Sequence, residues 1–235
     1  MKTIGIIGGM SWESSLEYYR IMNTLVKERL GGFHSARCVM YSVDFAGVEA
    51  PMREGRWDRV AAVMIDAAKK LEASGAECVL IATNTVHRVA DEVEASLSVP
   101  LLHIVDAAAA ALQKKGIGRT GLLGTRFTME EPFYRERLAR HGIETVVPGV
   151  DERTVVHDII FKELVLGSVL SLSRDRTKEI MAGLTGQGAE GIILGCTELP
   201  LLVKPEDAAV PLFDTTELHV RAAVDWALGL SDTGR

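Results

Sequence analysis

Two polar segments that directly follow apolar runs carry the residue types best suited to proton transfer at carbon. Cys196 lies in the segment 194–198, where an apolar run ends in small and polar residues, and Thr83 begins a polar triplet after another such run. A thiol between a strand end and a helix start is expected to have a lowered pKa, because the helix dipole stabilises the thiolate. Cys196 is therefore our main candidate for an acid and base catalyst.

Other polar residues near these segments are candidates for binding a small anion. The triplet 83–85 offers hydroxyls, an amide and backbone donors, although Thr and Asn are also common helix N-cap residues. The glycine-rich turn at residues 5–11 would let backbone N–H groups approach a ligand, and a simple tight turn explains it equally well. Arg53 lies in a predicted loop, 52–57, that could fold over a carboxylate or remain solvated. The candidate binding residues are Met10, Ser11, Arg53, Asn84, Thr85, Thr125, Thr128, Thr197 and Glu198.

The remaining cysteines and the histidines predict neither a disulfide framework nor a metal site. Cys38 and Cys78 lie inside apolar runs, which is typical of inert buried thiols, and the three cysteines have no CxxC spacing. The six histidines form no HxxxH or HxxE pattern, so no catalytic metal is expected. His87, four residues after Thr83, could orient the site, but it is interpreted as a helix-surface histidine. The glycine-rich turn lacks the GxGxxG spacing of a dinucleotide site.

Composition and charge exclude several classes of function. Charged residues make up 25% of the 235 residues and hydrophobic ones 47%, which is typical of a folded globular protein. The net charge of −6, without clusters of Lys and Arg, argues against a nucleic-acid partner. No apolar run reaches the length of about 18 residues that could cross a bilayer. The first residues have the pattern of a strand and not that of a signal peptide. A cytoplasmic location without a membrane partner is expected.

Short apolar runs alternate with amphipathic stretches along the chain. Continuous β-rich runs of this kind are typical of buried parallel strands, and the alternation predicts an α/β fold. The predicted strands are 4–7, 38–43, 78–82, 121–123, 145–147 and 191–194. The predicted helices are 14–30, 59–73, 131–141, 155–166 and 174–185.

The two halves of the chain repeat each other. Four segments recur in the same order: 5–8 as 121–124, 18–20 as 133–135, 75–77 as 188–190, and 99–101 as 210–212. We therefore predict two Rossmann-like α/β domains with mainly parallel sheets, related by a pseudo-two-fold axis, with the active site in the cleft between them. The predicted domains are 1–104 with 216–235, and 105–215. In this alignment Thr83 is equivalent to Cys196, each at the carboxyl end of a strand, where α/β sheets bind ligands.

Three motifs resemble those of the cofactor-independent aspartate/glutamate racemase family. They are residues 1–14, Thr83-Asn84-Thr85-Val86-His87 and Gly195-Cys196-Thr197-Glu198. The opening is particularly similar to that of broad-specificity members. The resemblance implies racemisation of an acidic amino acid at its α-carbon without pyridoxal phosphate or another cofactor. It also implies that one residue from each half flanks the α-carbon, that Asn84, Thr85 and Thr197 hold the α-carboxylate, and that the protein forms homodimers.

Thr83 departs from the family pattern. Most members have a cysteine at this position, and a hydroxyl is a far poorer base than a thiol because its alkoxide is inaccessible near neutral pH. Thr83 is therefore expected to donate or relay a proton more readily than it abstracts one. We predict a directional enzyme, in which Cys196 deprotonates one enantiomer much faster than Thr83 deprotonates the other.

Two other functions are compatible with a single catalytic thiol. The chain could resemble arylmalonate decarboxylases, in which one cysteine protonates the carbanion that remains after carbon dioxide leaves. It could also be a two-lobed protein that binds acidic amino acids but no longer catalyses a reaction. Release of carbon dioxide from malonates would identify the first alternative. Binding without exchange of the α-hydrogen would identify the second.

Overall fold

The computed structural model describes residues 1–230 of the chain, which divide into two compact units. The first unit comprises Met1–Ile104 and the chain from His219 onward, and the second comprises Val105–Leu218. The chain thus leaves the first unit after Ile104 and returns to it at His219, whereas the sequence analysis placed the return at residue 216. Residues 231–235, which the sequence analysis assigned to the first domain, lie outside the described residues.

The first unit contains a parallel three-stranded sheet flanked by helices. Its elements are β1 (Ile4–Gly8), α1 (Trp12–Leu30), β2 (Cys38–Ser42), α2 (Ala46–Arg53), α3 (Trp57–Ala73), β3 (Cys78–Ile81), a 3-10 helix (Thr85–Val89) and α4 (Ala90–Glu94). The strand order is β2-β1-β3. Every residue of β1 and β3 is buried, as expected for strands covered on both faces. Helix α3 packs directly on β1, since a Cβ at Gly5 would lie 3.3 Å from the Leu71 Cβ of this helix.

The second unit contains a parallel four-stranded sheet. Its elements begin with α5 (Ile104–Lys114), β4 (Arg119–Gly124), α6 (Arg126–Glu130), α7 (Pro132–Arg140), β5 (Glu144–Val146) and α8 (Val150–Lys162). They continue with a 3-10 helix (Leu164–Leu166), α9 (Ser171–Gly186), β6 (Ile192–Gly195), α10 (Leu199–Leu202), a 3-10 helix (Pro205–Asp207) and β7 (Leu212–Asp214). The strand order is β5-β4-β6-β7. Helix α11 (Thr215–Leu228) then carries the chain back into the first unit.

The strand registers of the two units agree with the internal repeat. Gly5 of β1 pairs with Val79 of β3, and Gly121 of β4 pairs with Ile192 of β6. An isolated parallel bridge joins Val79 to Leu101, just as β6 pairs with β7. The repeated segments therefore build the same hydrogen-bonding pattern in each unit, and the predicted α/β fold with parallel sheets is confirmed.

The observed ends of the strands agree well with the predicted ends. The observed ends of the helices agree less well. All six predicted strands are present, with ends that differ by at most two residues. The helix predicted over 155–166 begins earlier, at Val150, because the Glu152 carboxylate accepts a hydrogen bond from the Gly149 N–H and closes a cap there. It also ends at Lys162 and is followed by a separate 3-10 turn. The three-residue strand β7 was not among the predicted strands.

Candidate functional site

Cys196 follows the last residue of β6 and lies beside a buried carboxylate. Its Sγ donates a hydrogen bond to Glu198 Oε2 over 3.0 Å, and the Thr197 hydroxyl donates to the same oxygen over 2.7 Å. Glu198 is buried, with 6% of its surface exposed, whereas Cys196 and Thr197 keep partial exposure. Three of the predicted site residues thus meet at the carboxyl end of one strand.

The surroundings of Cys196 correct its expected pKa. Burial raises the pKa of the thiol well above its ordinary value, and the negative charge and hydrogen bond of Glu198 raise it further. Backbone N–H groups of residues 197 and 198 act in the opposite direction but do not outweigh these effects. The following helix, α10, has four residues, so its dipole is small. The predicted lowering of the pKa is therefore wrong: the surroundings of Cys196 raise the pKa of its thiol instead.

The chain around Cys196 is held by a contact between β4 and β6 that requires glycine. A Cβ at Gly195 would lie 2.9 Å from the Leu123 carbonyl oxygen, and one at Gly124 would lie 3.0 Å from the Gly195 carbonyl oxygen. The fully buried Thr128 packs on the same point, 3.1 Å from a Cβ placed at Gly124. The position of Cys196 is thus set by close packing of two strand ends.

Thr125 and Thr128 form the start of α6 at the carboxyl end of β4. The Thr125 hydroxyl accepts a hydrogen bond from the Thr128 N–H over 3.4 Å, and the two hydroxyl oxygens lie 3.2 Å apart. Both side chains are buried. The structure therefore gives Thr125 a helix-capping role, beside the strand that packs against the Cys196 segment.

Thr83 occupies the corresponding position in the first unit, after β3. The residue is partly exposed, and its backbone carbonyl accepts a hydrogen bond from His87 Nδ1 over 2.7 Å. Asn84 and Thr85 are buried, at 4% and 6% exposure. Within the described chain, the Asn84 side chain makes no N-cap hydrogen bond to the 3-10 helix that follows. Simple capping, the alternative considered for this triplet, therefore does not explain Asn84.

The glycine-rich turn after β1 is tightly built. Gly9 has a φ of +91°, and a Cβ there would lie 2.1 Å from the Val43 carbonyl oxygen. Ser11 has a φ of +85° and is the single non-glycine residue in the described chain with a positive φ. Its hydroxyl accepts from the Ser14 N–H and caps α1. Met10 beside it is buried. Turn formation thus accounts for Gly9, while the strained Ser11 marks a position of functional interest.

Two predicted placements are wrong. Arg53 is the last residue of α2, not part of a loop, because the helix continues through it before the turn at residues 54–56. Its side chain is 74% exposed and lies 4.0 Å from Glu49 one turn back. His87 is not on a helix surface: it is 2% exposed and belongs to a group of buried rings that the sequence analysis did not identify. Its ring neighbours, His103 and His219, lie far from it along the chain, so no local pattern could indicate them.

Residues 1–230 contain neither a metal-binding cluster nor a membrane-spanning helix. No cluster of three or more His, Cys, Asp or Glu side chains there has the arrangement of a metal site. No helix in this part of the chain combines the length and the apolar character needed to span a membrane.

Comparison with known proteins identifies relatives over most of the chain. The model of the Asp/Glu/hydantoin racemase family matches residues 7–223. Broad-specificity amino-acid racemase RacX of Bacillus subtilis is 25% identical over 177 residues, which are 71% of this chain and 72% of RacX.

Two crystal structures are similar over nearly the full length. A Yersinia pestis protein ascribed to the Asp/Glu racemases has a TM-score of 0.93 and 50% identity, covering 97% of this chain and 100% of that one. PH1733, an aspartate racemase homologue from Pyrococcus horikoshii OT3, has a TM-score of 0.86 and 37% identity, with the same coverage of 97% and 100%.

Proposed function

Because the chain belongs to the Asp/Glu/hydantoin racemase family, we propose that it interconverts the L and D forms of aspartate or glutamate. The chain is an isomerase of the amino-acid racemase type. The observation that carries the proposal is the Cys196 thiol at the carboxyl end of β6, hydrogen-bonded to the Glu198 carboxylate. A thiol with a carboxylate beside it can both give and receive a proton, which is what inversion at an α-carbon requires.

In the proposed reaction Cys196 and Thr83 act on opposite faces of the α-carbon. The Cys196 thiol first transfers its proton to Glu198, and the resulting thiolate removes the α-hydrogen of the substrate. The electron pair of the broken C–H bond is delocalised into the α-carboxylate. The Thr83 hydroxyl, directly or through a water molecule, then delivers a proton to the other face, and solvent returns that proton to Thr83. Glu198 then releases to solvent the proton that it accepted, so the sum of these steps is inversion without net proton change.

This assignment makes the enzyme directional. The reverse reaction would require Thr83 to abstract the α-hydrogen, and an alkoxide is far less accessible near neutral pH than a thiolate. Cys196 can pass its proton to the adjacent Glu198 carboxylate and form a thiolate, which makes it the better base of the two. Inversion that begins at Cys196 is therefore expected to be the faster direction.

We further propose how the substrate carboxylates are bound. Asn84, Thr85 and Thr197 hold the α-carboxylate through side chains and backbone N–H groups, in line with the family motifs. The second carboxylate is assigned to Ser11, Arg53 and Thr125. Met10 and Thr128, which are both buried, are not assigned to it. Glu198 is reassigned from substrate contact to proton transfer, because its Oε2 already accepts two hydrogen bonds and its charge would repel a carboxylate.

The proposed reaction needs no cofactor, because a thiol, a hydroxyl and a carboxylate supply every acid and base that it uses. The three cysteines Cys38, Cys78 and Cys196 form no disulfide with one another. Free thiols are typical of a reducing compartment, which supports our proposal of a cytoplasmic location.

A homodimer is proposed on the basis of an apolar face of α1. Trp12, Leu16 and Tyr19 follow the spacing of one helix face and are 66%, 54% and 50% exposed. Light scattering after size exclusion should give twice the chain mass, and Leu16→Glu should reduce it. Leu172→Glu on α9, where Leu172 is 82% exposed, is the matched control. A monomeric wild-type protein would contradict the proposal.

Incubation in heavy water tests the proposed function directly. Each enantiomer of aspartate and glutamate is incubated with purified protein without added cofactor, and NMR and chiral chromatography follow deuterium uptake and inversion. Deuterium uptake and inversion are expected with the wild-type protein and with Cys38→Ser. Cys196→Ser is expected to show neither deuterium uptake nor inversion. Binding of the amino acid without deuterium uptake would reject a racemase and support a non-catalytic binder.

One observation favours a second candidate function. The raised pKa of Cys196 suits its thiol to the delivery of a proton to a carbanion, which is the step that follows decarboxylation of a malonate. The chain would then release carbon dioxide from substituted malonates, with Cys196 as the proton donor. Release of carbon dioxide that is lost in Cys196→Ser, together with unchanged enantiomers of aspartate and glutamate, would support this function.

A further inference from the structure

A cluster of buried side-chain rings lies next to the Thr83 backbone in the first unit. It consists of His87, His103, His219 and Tyr18, which are between 0% and 6% exposed. The ring centroids of His87 and His103 are 4.5 Å apart, and those of His87 and His219 are 5.6 Å apart. Three histidines packed together in a core need hydrogen bonds to offset the loss of water, so the partners of each ring nitrogen are informative.

The two nitrogens of His87 have different partners, which define its protonation state. Nδ1 lies 2.7 Å from the carbonyl oxygen of Thr83, which can only accept a hydrogen bond, so Nδ1 carries a hydrogen. Nε2 accepts a hydrogen bond from the backbone N–H of Ile104 over 3.2 Å, so Nε2 carries a lone pair. His87 is therefore a neutral ring in the Nδ1–H tautomer.

His219 is held in the opposite tautomer. Its Nε2 lies 2.7 Å from the Leu102 carbonyl oxygen and must donate. Its Nδ1 lies 2.9 Å from the Tyr18 hydroxyl, which donates to it when the ring is neutral, the form that full burial favours. His219 thus fastens the segment before α5 to Tyr18 of α1.

The backbone segments joined by these rings include both points where the chain passes between the units. The chain leaves the first unit after Ile104, which His87 binds, and returns at His219. The Thr83 carbonyl oxygen accepts a hydrogen bond from His87, which binds the first of these points. The Leu102 carbonyl oxygen accepts a hydrogen bond from His219, which is the second point. The position of the Thr83 backbone is therefore coupled to that of residues 102–104.

We propose that His87 is a positioning residue, which fixes the Thr83 carbonyl to the start of α5 and so sets the direction of the Thr83 hydroxyl. This inference rests on the proposed function in so far as Thr83 acts on the substrate. His87 does not exchange protons itself, because both ring nitrogens are committed to backbone groups and the ring is 2% exposed. Its effect reaches the substrate only through Thr83.

Kinetics can separate positioning from a merely structural role. His87→Leu should lower inversion by about 10- to 100-fold, as is usual when a supporting hydrogen bond is lost, with KM little changed. Deuterium exchange with retention, which needs only Cys196, should persist, so the ratio of inversion to exchange falls. His87→Gln, which keeps a donor and an acceptor, should restore part of the ratio. In a Thr83→Ala background, His87→Leu should cause no further loss. An unchanged ratio in folded His87→Leu would overturn the proposal.

Two measurements do not depend on activity, so they remain decisive if the proposed function fails. NMR of protein labelled with 15N in its histidines should show the Nδ1–H tautomer for His87 and the Nε2–H tautomer for His219. Hydrogen exchange of the amides of residues 83–85 should accelerate in His87→Leu but not in His34→Leu, a control at an exposed histidine of the same unit. A charged or Nε2–H His87, or unchanged exchange at residues 83–85, would overturn the proposal whatever the reaction.

Discussion

The Cys196 thiol donates a hydrogen bond to the Glu198 carboxylate over 3.0 Å. The direction of this bond matters, because a carboxylate that accepts from a thiol stabilises the protonated sulfur. Reactive cysteines more often lie near positive charge, which favours the thiolate. Cys196 instead combines a high pKa with a nearby proton acceptor, so it can serve as an acid directly and as a base through Glu198.

Glu198→Gln should increase the rate at which the Cys196 thiol is alkylated and decrease the rate of inversion. Removal of the negative charge should lower the pKa of Cys196, since Glu198 raises it. Alkylation of Cys196 by iodoacetamide at pH 8, followed by peptide mass spectrometry, should therefore become faster. Inversion that begins at Cys196 should slow by about 100-fold, because the acceptor of the thiol proton is lost.

The exposed Glu206 of the same unit provides the control for that experiment. Glu206→Gln removes the same charge from the chain and should alter neither alkylation nor inversion. Slower alkylation of Cys196 in Glu198→Gln would contradict the conclusion that the carboxylate raises the pKa of the thiol.

The pair of Thr83 and Cys196 predicts unequal rates from the two enantiomers. Initial kcat values from L- and D-aspartate should differ, by about 10-fold or more, because a hydroxyl is a much weaker base than a thiol. Thr83→Cys should bring the two values closer together, whereas Thr83→Ser should keep them apart. Equal values in the wild-type enzyme would refute the directional mechanism.

Gly9 should tolerate no side chain. Gly9→Ala must place a Cβ 2.1 Å from the Val43 carbonyl oxygen as well as adopt a φ of +91°. We expect a loss of about 3 kcal/mol or more in the free energy of unfolding by urea. Gly75→Ala is the matched control, since its φ is +89° but its Cβ would have no atom within 4 Å. It should cost about 1 kcal/mol. Equal losses in the two variants would contradict the importance of the Val43 contact.

Cys78 should make the protein less stable in alkaline solution. Burial raises the pKa of this thiol from 9.0 to about 12. The unfolded chain therefore loses its proton at a lower pH than the folded one, and the stability held below pH 9 decreases as the pH rises towards 12. Cys78→Ala lacks this titration. Urea unfolding at pH 7 and pH 10.5 should show that the stability difference between wild type and Cys78→Ala shrinks. A constant difference would exclude the effect.

Several features of the fold were predictable because they depend on neighbouring residues. The strands came from apolar runs, and the equivalence of Thr83 and Cys196 came from the repeat, which reappears as a shared sheet register. The helix over 150–162 was misplaced at its start, because its cap depends on one Gly149 to Glu152 hydrogen bond that leaves no apolar pattern.

The sequence by itself determined the α/β fold, the two related halves, the family motifs and the identity of the polar residues at the strand ends. Only the tertiary structure decided how those residues behave. The pKa of Cys196 depends on burial and on which way the Glu198 carboxylate points, and the tautomer of His87 depends on Ile104. Tyr18 and His219 meet although 201 positions separate them. Such contacts follow from how helices pack on a sheet, which local residue patterns do not specify.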